Sequence, residues 1–67
     1  MKIEVLKNNK PMFEGEADEL LEAFNYDLEL EELLNELDIR DIGSSFKMDI
    51  FGYELNIEKL ADENIYN

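Results

Sequence analysis

The residues between 46 and 57 constrain the fold most, because their apolar positions change parity at a single point. Before the change, every second residue is apolar, at Phe46, Met48 and Ile50. After it, the apolar positions are Tyr53, Leu55 and Ile57. A two-residue turn at Phe51 and Gly52 brings all six side chains to one face of an antiparallel pair. The segment therefore predicts a β-hairpin in which the facing pairs are Ile50 with Tyr53, Met48 with Leu55, and Phe46 with Ile57.

The first residues predict a second hairpin. Ile3 and Val5 alternate with charged residues, which is strand periodicity. The turn is expected at Asn8, Asn9, Lys10 and Pro11, because Asn tolerates left-handed backbone angles and Pro interrupts a regular ladder. Residues 12–14 would then return as the second strand, and Gly15 would end it.

The middle of the chain predicts two short helices. Two sets of apolar residues have the spacing of a helical stripe: Ala17, Leu20, Leu21 and Phe24, then Leu30, Leu33, Leu34 and Leu37. A break is expected at Asn25, Tyr26 and Asp27, since Asn25 can take a left-handed conformation and Asp27 can cap a new helix. One kinked helix is the alternative.

These elements predict a small single α+β domain covering residues 1–67. Its order is β-β-α-α-β-β: an antiparallel sheet of two hairpins, with two short acidic helices between them that cover one face. Residues 58–67 are expected to form a frayed or loosely docked tail, or a short helical turn from Leu60 onward, with Ile65 and Tyr66 as anchors. Inward parity assigns four aromatic residues to the core, which are Phe13, Phe24, Phe46 and Tyr53.

Negative charge is concentrated in the middle of this order. The net charge is −12, and residues 14–39 contain eleven acids with no Lys or Arg. The rest of the chain has seven acids and six bases. We therefore expect acidic helices on a nearly neutral sheet. Several of the acids are three or four residues apart, where like charges repel on a helix.

The composition argues against catalysis and against cofactors. The chain has no histidine and no cysteine, which removes the commonest general base and metal ligand. Asp38, Asp41 and Asp49 do not have the spacing of a Ca²⁺-binding loop. Six Lys and Arg residues are too few for a nucleic-acid-binding surface. No apolar run has membrane-spanning length. We expect a soluble, cytoplasmic, non-enzymatic protein without metal, cofactor, direct nucleic-acid or membrane binding.

The acidic block favours a basic protein as partner. Residues 14–39 would span roughly 39 Å as continuous helix, which places one charge about every 3.5 Å, close to the phosphate spacing along a DNA strand. The hypothesis is a nucleic-acid mimic that occupies a basic groove. The first predicted contacts share a helical face: Glu29, Glu32 and Glu36. The next are Asp18, Glu19 and Glu22. The competing interpretation is a solvated face with no partner.

In size, charge and lack of catalytic residues, the chain resembles in general character the small acidic inhibitors made by bacteriophages, including anti-CRISPR and anti-restriction proteins. That resemblance implies a nucleic-acid-binding protein or nuclease as the partner. It also implies action in the cytoplasm of the host cell.

A second hypothesis is a structural or regulatory interaction module. Phe51, at the turn tip, is either an exposed interface anchor or a residue folded back over the sheet edge. Tyr26, in the helix break, is another candidate anchor. The sheet edges could also pair with a partner or with a second copy. This module would be a homo-oligomer, such as a homodimer, or an antitoxin-like partner of a basic protein.

Overall fold

The computed structural model describes residues 1–61, which fold in the predicted order. The elements are β1 (Lys2–Lys7), β2 (Lys10–Glu16), α1 (Ala17–Ala23), α2 (Leu28–Asp38), β3 (Ser45–Ile50) and β4 (Tyr53–Lys59). The predicted α+β class with two hairpins flanking two helices is confirmed. Ile65 and Tyr66 lie outside the described residues.

The two hairpins join into one antiparallel sheet with the strand order β2-β1-β4-β3. The first and last strands are therefore central, and β2 and β3 form the edges. The β3–β4 hairpin has the predicted register, with Ile50 opposite Tyr53 and Met48 opposite Leu55. Phe51 and Gly52 have φ values of 51° and 87°, as a two-residue turn of this twist requires.

The first hairpin differs from the prediction in its turn and in the length of its second strand. Asn8 and Asn9 have φ values of 50° and 70°, so these two residues alone complete the turn. Lys10 and Pro11 already belong to β2, and Gly15 lies within the strand instead of ending it. Pro11 is tolerated there because β2 is an edge strand, where one side of the backbone needs no ladder hydrogen bond.

Two separate helices confirm the predicted break. Asn25 and Tyr26 have φ values of 56° and 55°, which end α1 and turn the chain. Asp27 caps α2 as expected, because its Oδ2 accepts a hydrogen bond from the Leu30 N–H at 3.1 Å. The residue before α1, Glu16, makes no side-chain cap.

The core lies between the helices and one face of the sheet. Both central strands contribute fully buried residues, and each helix buries a stripe against them. The core residues are Ile3, Val5, Ala17, Leu20, Phe24, Leu30, Leu34, Leu37, Met48, Ile50, Leu55 and Ile57. Of the four aromatics assigned to the core, only Phe24 is buried; Phe13, Phe46 and Tyr53 pack at its margin. They are partly exposed because they lie on β2, on β3 and at the first position of β4, where the sheet ends.

Residues at the end of β4 form hydrogen bonds both to β1 and to the end of α2. Glu58 and Lys59 belong to β4, and the Leu60 N–H donates to the Lys2 carbonyl at 2.9 Å, so the start of the expected tail is part of the sheet. Lys59 Nζ donates to the carbonyl oxygens of Asp38 and Arg40 at 2.7 and 2.8 Å. Neither described helix is long and apolar enough to cross a membrane.

Candidate functional site

The first-choice acidic residues lie together beside an edge of the sheet. Helix α2 buries Leu30, Leu34 and Leu37, which fixes its rotation over the sheet. The adjacent stripe of the helix faces the β3 side. There, one groove is lined by Glu29, Glu32, Leu33, Glu36 and Phe46. We call this the α2 groove: three carboxylates around an apolar floor of Leu33 and Phe46.

Arg40 occupies one end of the α2 groove. Its guanidinium donates to Glu36 Oε2 at 2.9 Å, and its Cζ lies 5.2 Å from the centre of the Phe46 ring. Cation–π contact and a carboxylate hydrogen bond therefore act on the same group. Within residues 1–61, Glu29 and Glu32 have no ion-pair partner. The groove thus has two uncompensated carboxylates next to one that is paired.

The second-choice acids do not share this surface. Glu19 lines a groove on the opposite side, next to Met12, Phe13 and Phe51. Asp18 lies between the helices, in a cleft that also contains Glu31 and Asp38. Glu22 is exposed on α1. The six acids therefore do not form one surface, because the helical rotation that buries the apolar stripes distributes these carboxylates over different sides.

The sheet is also more acidic than expected. Strand pairing places Glu4 directly between Glu14 and Glu58, although these three residues are far apart in the sequence. Glu4 alternates with the buried Ile3 and Val5, so it lies on the outer face, away from the helices, and its two directly opposite partners lie on the same face. Like charges directly opposite each other destabilise a sheet. The prediction of a nearly neutral sheet counted residues 14–39 as one acidic block, and it therefore left out of the sheet Glu14 and Glu16, which belong to β2.

The linear charge array expected for a DNA mimic is likewise absent from the described residues. Glu14 and Glu16 belong to β2, and the turn at Asn25 and Tyr26 separates α1 from α2. The spacing calculated for a continuous helix over residues 14–39 therefore does not apply. What remains is a local cluster of carboxylates on α2.

Phe51 combines both alternatives considered for it. The side chain is 66% exposed, yet its ring stacks on that of the buried Phe24 with a centroid separation of 5.7 Å and an interplanar angle of 2°. Its positive φ of 51° is unfavourable for a bulky residue, whereas Asn or Gly would take it readily. Tyr26 is exposed as expected.

Sequence reasoning missed the apolar floor and the internal cation. Leu33 belongs to the predicted apolar stripe of α2 and Phe46 to the predicted core, and both are only partly buried. The signal for Arg40 was its spacing, since it follows Glu36 by four residues and lies just beyond the end of α2, where it pairs with that carboxylate. Among residues 1–61 no group of three or more potential ligands is arranged to hold a metal ion.

Comparison with known proteins gives no relative: no family model, no curated protein and no solved structure matches this chain.

Proposed function

We propose that this protein is a non-enzymatic inhibitor whose α2 groove binds the basic surface of a nucleic-acid-handling protein. It would replace a short stretch of nucleic-acid backbone there, in the manner of phage anti-CRISPR or anti-restriction proteins, and act in the cytoplasm of the host cell. The supporting observation is that Glu29, Glu32 and Glu36 line one groove.

The spacing of the acids on α2 lowers the stability of the free protein and favours binding of a cationic partner. Glu29 and Glu32 are three residues apart, and Glu32 and Glu36 are four apart, so each pair repels by about 0.2–0.5 kcal/mol on a helix. A cationic partner would be attracted by all three carboxylates and would offset their mutual repulsion. Association would be steered by charge, with an on-rate that falls as salt is added.

The mimicry proposed is local. Helix α2 has eleven residues and is about 16 Å long at 1.5 Å per residue. At about 3.4 Å per phosphate, that length corresponds to only a few phosphates of one strand. A partner with a compact basic site therefore fits better than one that requires a long charged track.

The test is capture of partners from a bacterial lysate with the immobilised protein, followed by charge reversal. The variant is Glu29→Lys, Glu32→Lys, Glu36→Lys. The matched control, Glu4→Lys, Glu14→Lys, Glu58→Lys, makes the same change in net charge on the outer sheet face. We expect a nuclease or other nucleic-acid-binding protein to be captured by the wild type and the control, and lost by the α2 variant. Equal capture by both variants, with circular dichroism showing both folded, would contradict the proposal.

A second candidate function is a protein-interaction module that contacts its partner through Phe51. The observation in its favour is an exposed aromatic ring in an unfavourable backbone conformation, beside the apolar side chains of Met12 and Phe13. This candidate predicts that Phe51→Ala abolishes partner binding and that added salt has little effect. The α2 groove predicts the reverse on both counts.

A further inference from the structure

The edge strand β3 has backbone hydrogen-bonding groups that no other strand of the described chain uses. Among the strands formed by residues 1–61, its only neighbour in the sheet is β4. The Gly43 N–H donates to the Lys59 carbonyl and the Lys59 N–H to the Ser44 carbonyl, which fixes the alternation of hydrogen-bonded pairs along the hairpin. By that alternation, even-numbered residues of β3 bond to β4. Ser45, Lys47 and Asp49 direct their N–H and C=O groups away from it.

The α2 groove lies next to this edge. Phe46 forms part of its floor and is itself a β3 residue. A strand added along β3 would alternate its side chains between the two faces of the sheet. Those on the helix side would reach the Phe46 ring and the carboxylates of Glu29 and Glu32. Those on the other side would lie along Lys47 and Asp49.

The contacts of Arg40 indicate which side chain of a partner would suit the α2 groove. Arg40 contacts the Phe46 ring and hydrogen-bonds to Glu36, so aromatic surface and carboxylate are already arranged around a guanidinium. Arg is suited to such a site because its planar group stacks on aromatic rings while donating to carboxylates. Glu29 and Glu32 lack this partner within residues 1–61.

We propose that the partner inserts an extended, arginine-containing segment, which adds an antiparallel strand to the β3 edge and places alternate arginines in the α2 groove. This inference rests on the proposed function and specifies the partner's binding segment. Backbone hydrogen bonds supply affinity, and alternate side chains supply specificity. A second copy of this chain fits less well, since two-fold pairing of β3 edges would bring two acidic α2 grooves together.

The probe is the peptide acetyl-Val-Arg-Val-Arg-Val-Arg-Val-amide, called the arginine peptide below, titrated into ¹⁵N-labelled protein at low salt. We expect NMR shifts at the amides of Ser45, Lys47 and Asp49. Directly opposite residues of an antiparallel pair have their side chains on the same face. The peptide residues that bond to Ser45, Lys47 and Asp49 therefore have their side chains on the outer face, and these are the valines. Methylating the valine nitrogens should weaken binding by about tenfold or more, as expected for the loss of several hydrogen bonds. Methylating the arginine nitrogens is the matched control and should change binding little.

Protein variants test the side-chain part. Glu29→Gln with Glu32→Gln should weaken binding of the arginine peptide about tenfold, given the strength of charge-assisted hydrogen bonds. Arg40→Gln should strengthen it about threefold, because it releases Glu36 and the Phe46 ring for the peptide. The inference is overturned if the peptide does not bind, if both methylated peptides bind equally, or if the β3 amides shift with protein concentration alone, which would indicate a second copy.

A proline variant separates this inference from the proposed function. Lys47→Pro removes an outward N–H without removing a bond to β4, and Lys47→Val keeps that N–H with the same charge change. If the partner captured from lysate is lost with the α2 charge reversal and with Lys47→Pro, but kept with Lys47→Val, both proposals hold. If Lys47→Pro retains it while charge reversal does not, only strand addition fails. If charge reversal retains it, the proposed function fails.

Discussion

The two edges of the sheet differ in how far they are closed to pairing. On β2, Pro11 lacks a backbone donor, and the register against β1 shifts between Val5 and Leu6, which disrupts and twists the edge. On β3, all six residues pair with β4 without a shift. Proline, bulges and charges are the usual means of protecting an edge. Among residues 1–61, β2 is therefore blocked by its backbone, whereas β3 is protected only by charge.

Protection of a strand edge by charge is selective, because it depends on the charge of the approaching chain. The carboxylates of the α2 groove repel a second acidic copy and attract a cationic strand, whereas Pro11 and the bulge on β2 would oppose any partner. Under the proposed function, the same acids would serve solubility and recognition together. Four predictions test this difference between the edges, beginning with the one of largest effect.

Proline scanning along β3 should show which backbone groups are in use. Met48→Pro removes an N–H that bonds to β4 and also truncates a buried side chain, so it should reduce the free energy of unfolding by about 3 kcal/mol or more. Lys47→Pro removes an outward N–H and should reduce it by at most about 1 kcal/mol, as edge positions tolerate proline. Urea unfolding followed by circular dichroism measures both, with Lys47→Val as control. Equal losses at the two positions would show that the Lys47 N–H is already engaged.

The β2 side should be sensitive to added volume, because α1 approaches it closely at Gly15. A Cβ at this position would lie 2.9 Å from both Glu19 Oε1 and Phe13 Cζ. Gly15→Ala should therefore reduce the free energy of unfolding by about 1 kcal/mol, the low end of the range for overpacking, because the exposed Glu19 side chain can move aside. Adding Glu19→Ala should recover part of the loss, since it removes one of the two close contacts. A Gly15→Ala protein more stable than the wild type would contradict this packing.

The N-cap of α2 should matter for the position of the groove acids. Asp27→Ala removes the acceptor for the Leu30 N–H and should reduce the free energy of unfolding by about 1 kcal/mol. Asp27→Ser retains a capping oxygen and should lose only a small part of that. Thermal unfolding gives the stability, and amide shifts of Glu29 and Glu32 report the first turn. Unchanged stability in Asp27→Ala would mean that α2 is fixed by packing alone.

Much of the fold follows from local patterns in the sequence. The parity change around Phe51 and Gly52 determined the β3–β4 register, and the paired helical stripes determined both helices. The first hairpin was less accurate, since Asn8 and Asn9 sufficed for a turn that was expected to include Lys10 and Pro11. Turn length depends on two backbone conformations, whereas register depends on a whole row of side chains.

The candidate site was only partly predictable, because it depends on how the two layers are placed. Helical spacing alone grouped Glu29 with Glu32 and Glu36. It could not show that Phe46 of β3 would lie beside them, nor that Glu4 and Glu58 would join Glu14 on the outer face. Those contacts arise from the pairing of β1 with β4 and from the rotation of α2, which are set by long-range packing.

The smallest predicted effect bears most directly on whether the groove acids serve binding. Glu32→Gln removes a charge that repels both Glu29 and Glu36, so it should raise the free energy of unfolding by about 0.5 kcal/mol at low salt. At about 1 M salt the gain should disappear, because the Debye length falls to about 3 Å. The same variant should bind the arginine peptide more weakly. Greater stability of the variant together with weaker binding would mean that Glu32 contributes to recognition at a cost in stability. If affinity is unchanged, Glu32 is only part of a solvated face. The charge of α2 then does not contribute to binding of a strand at the unpaired β3 edge.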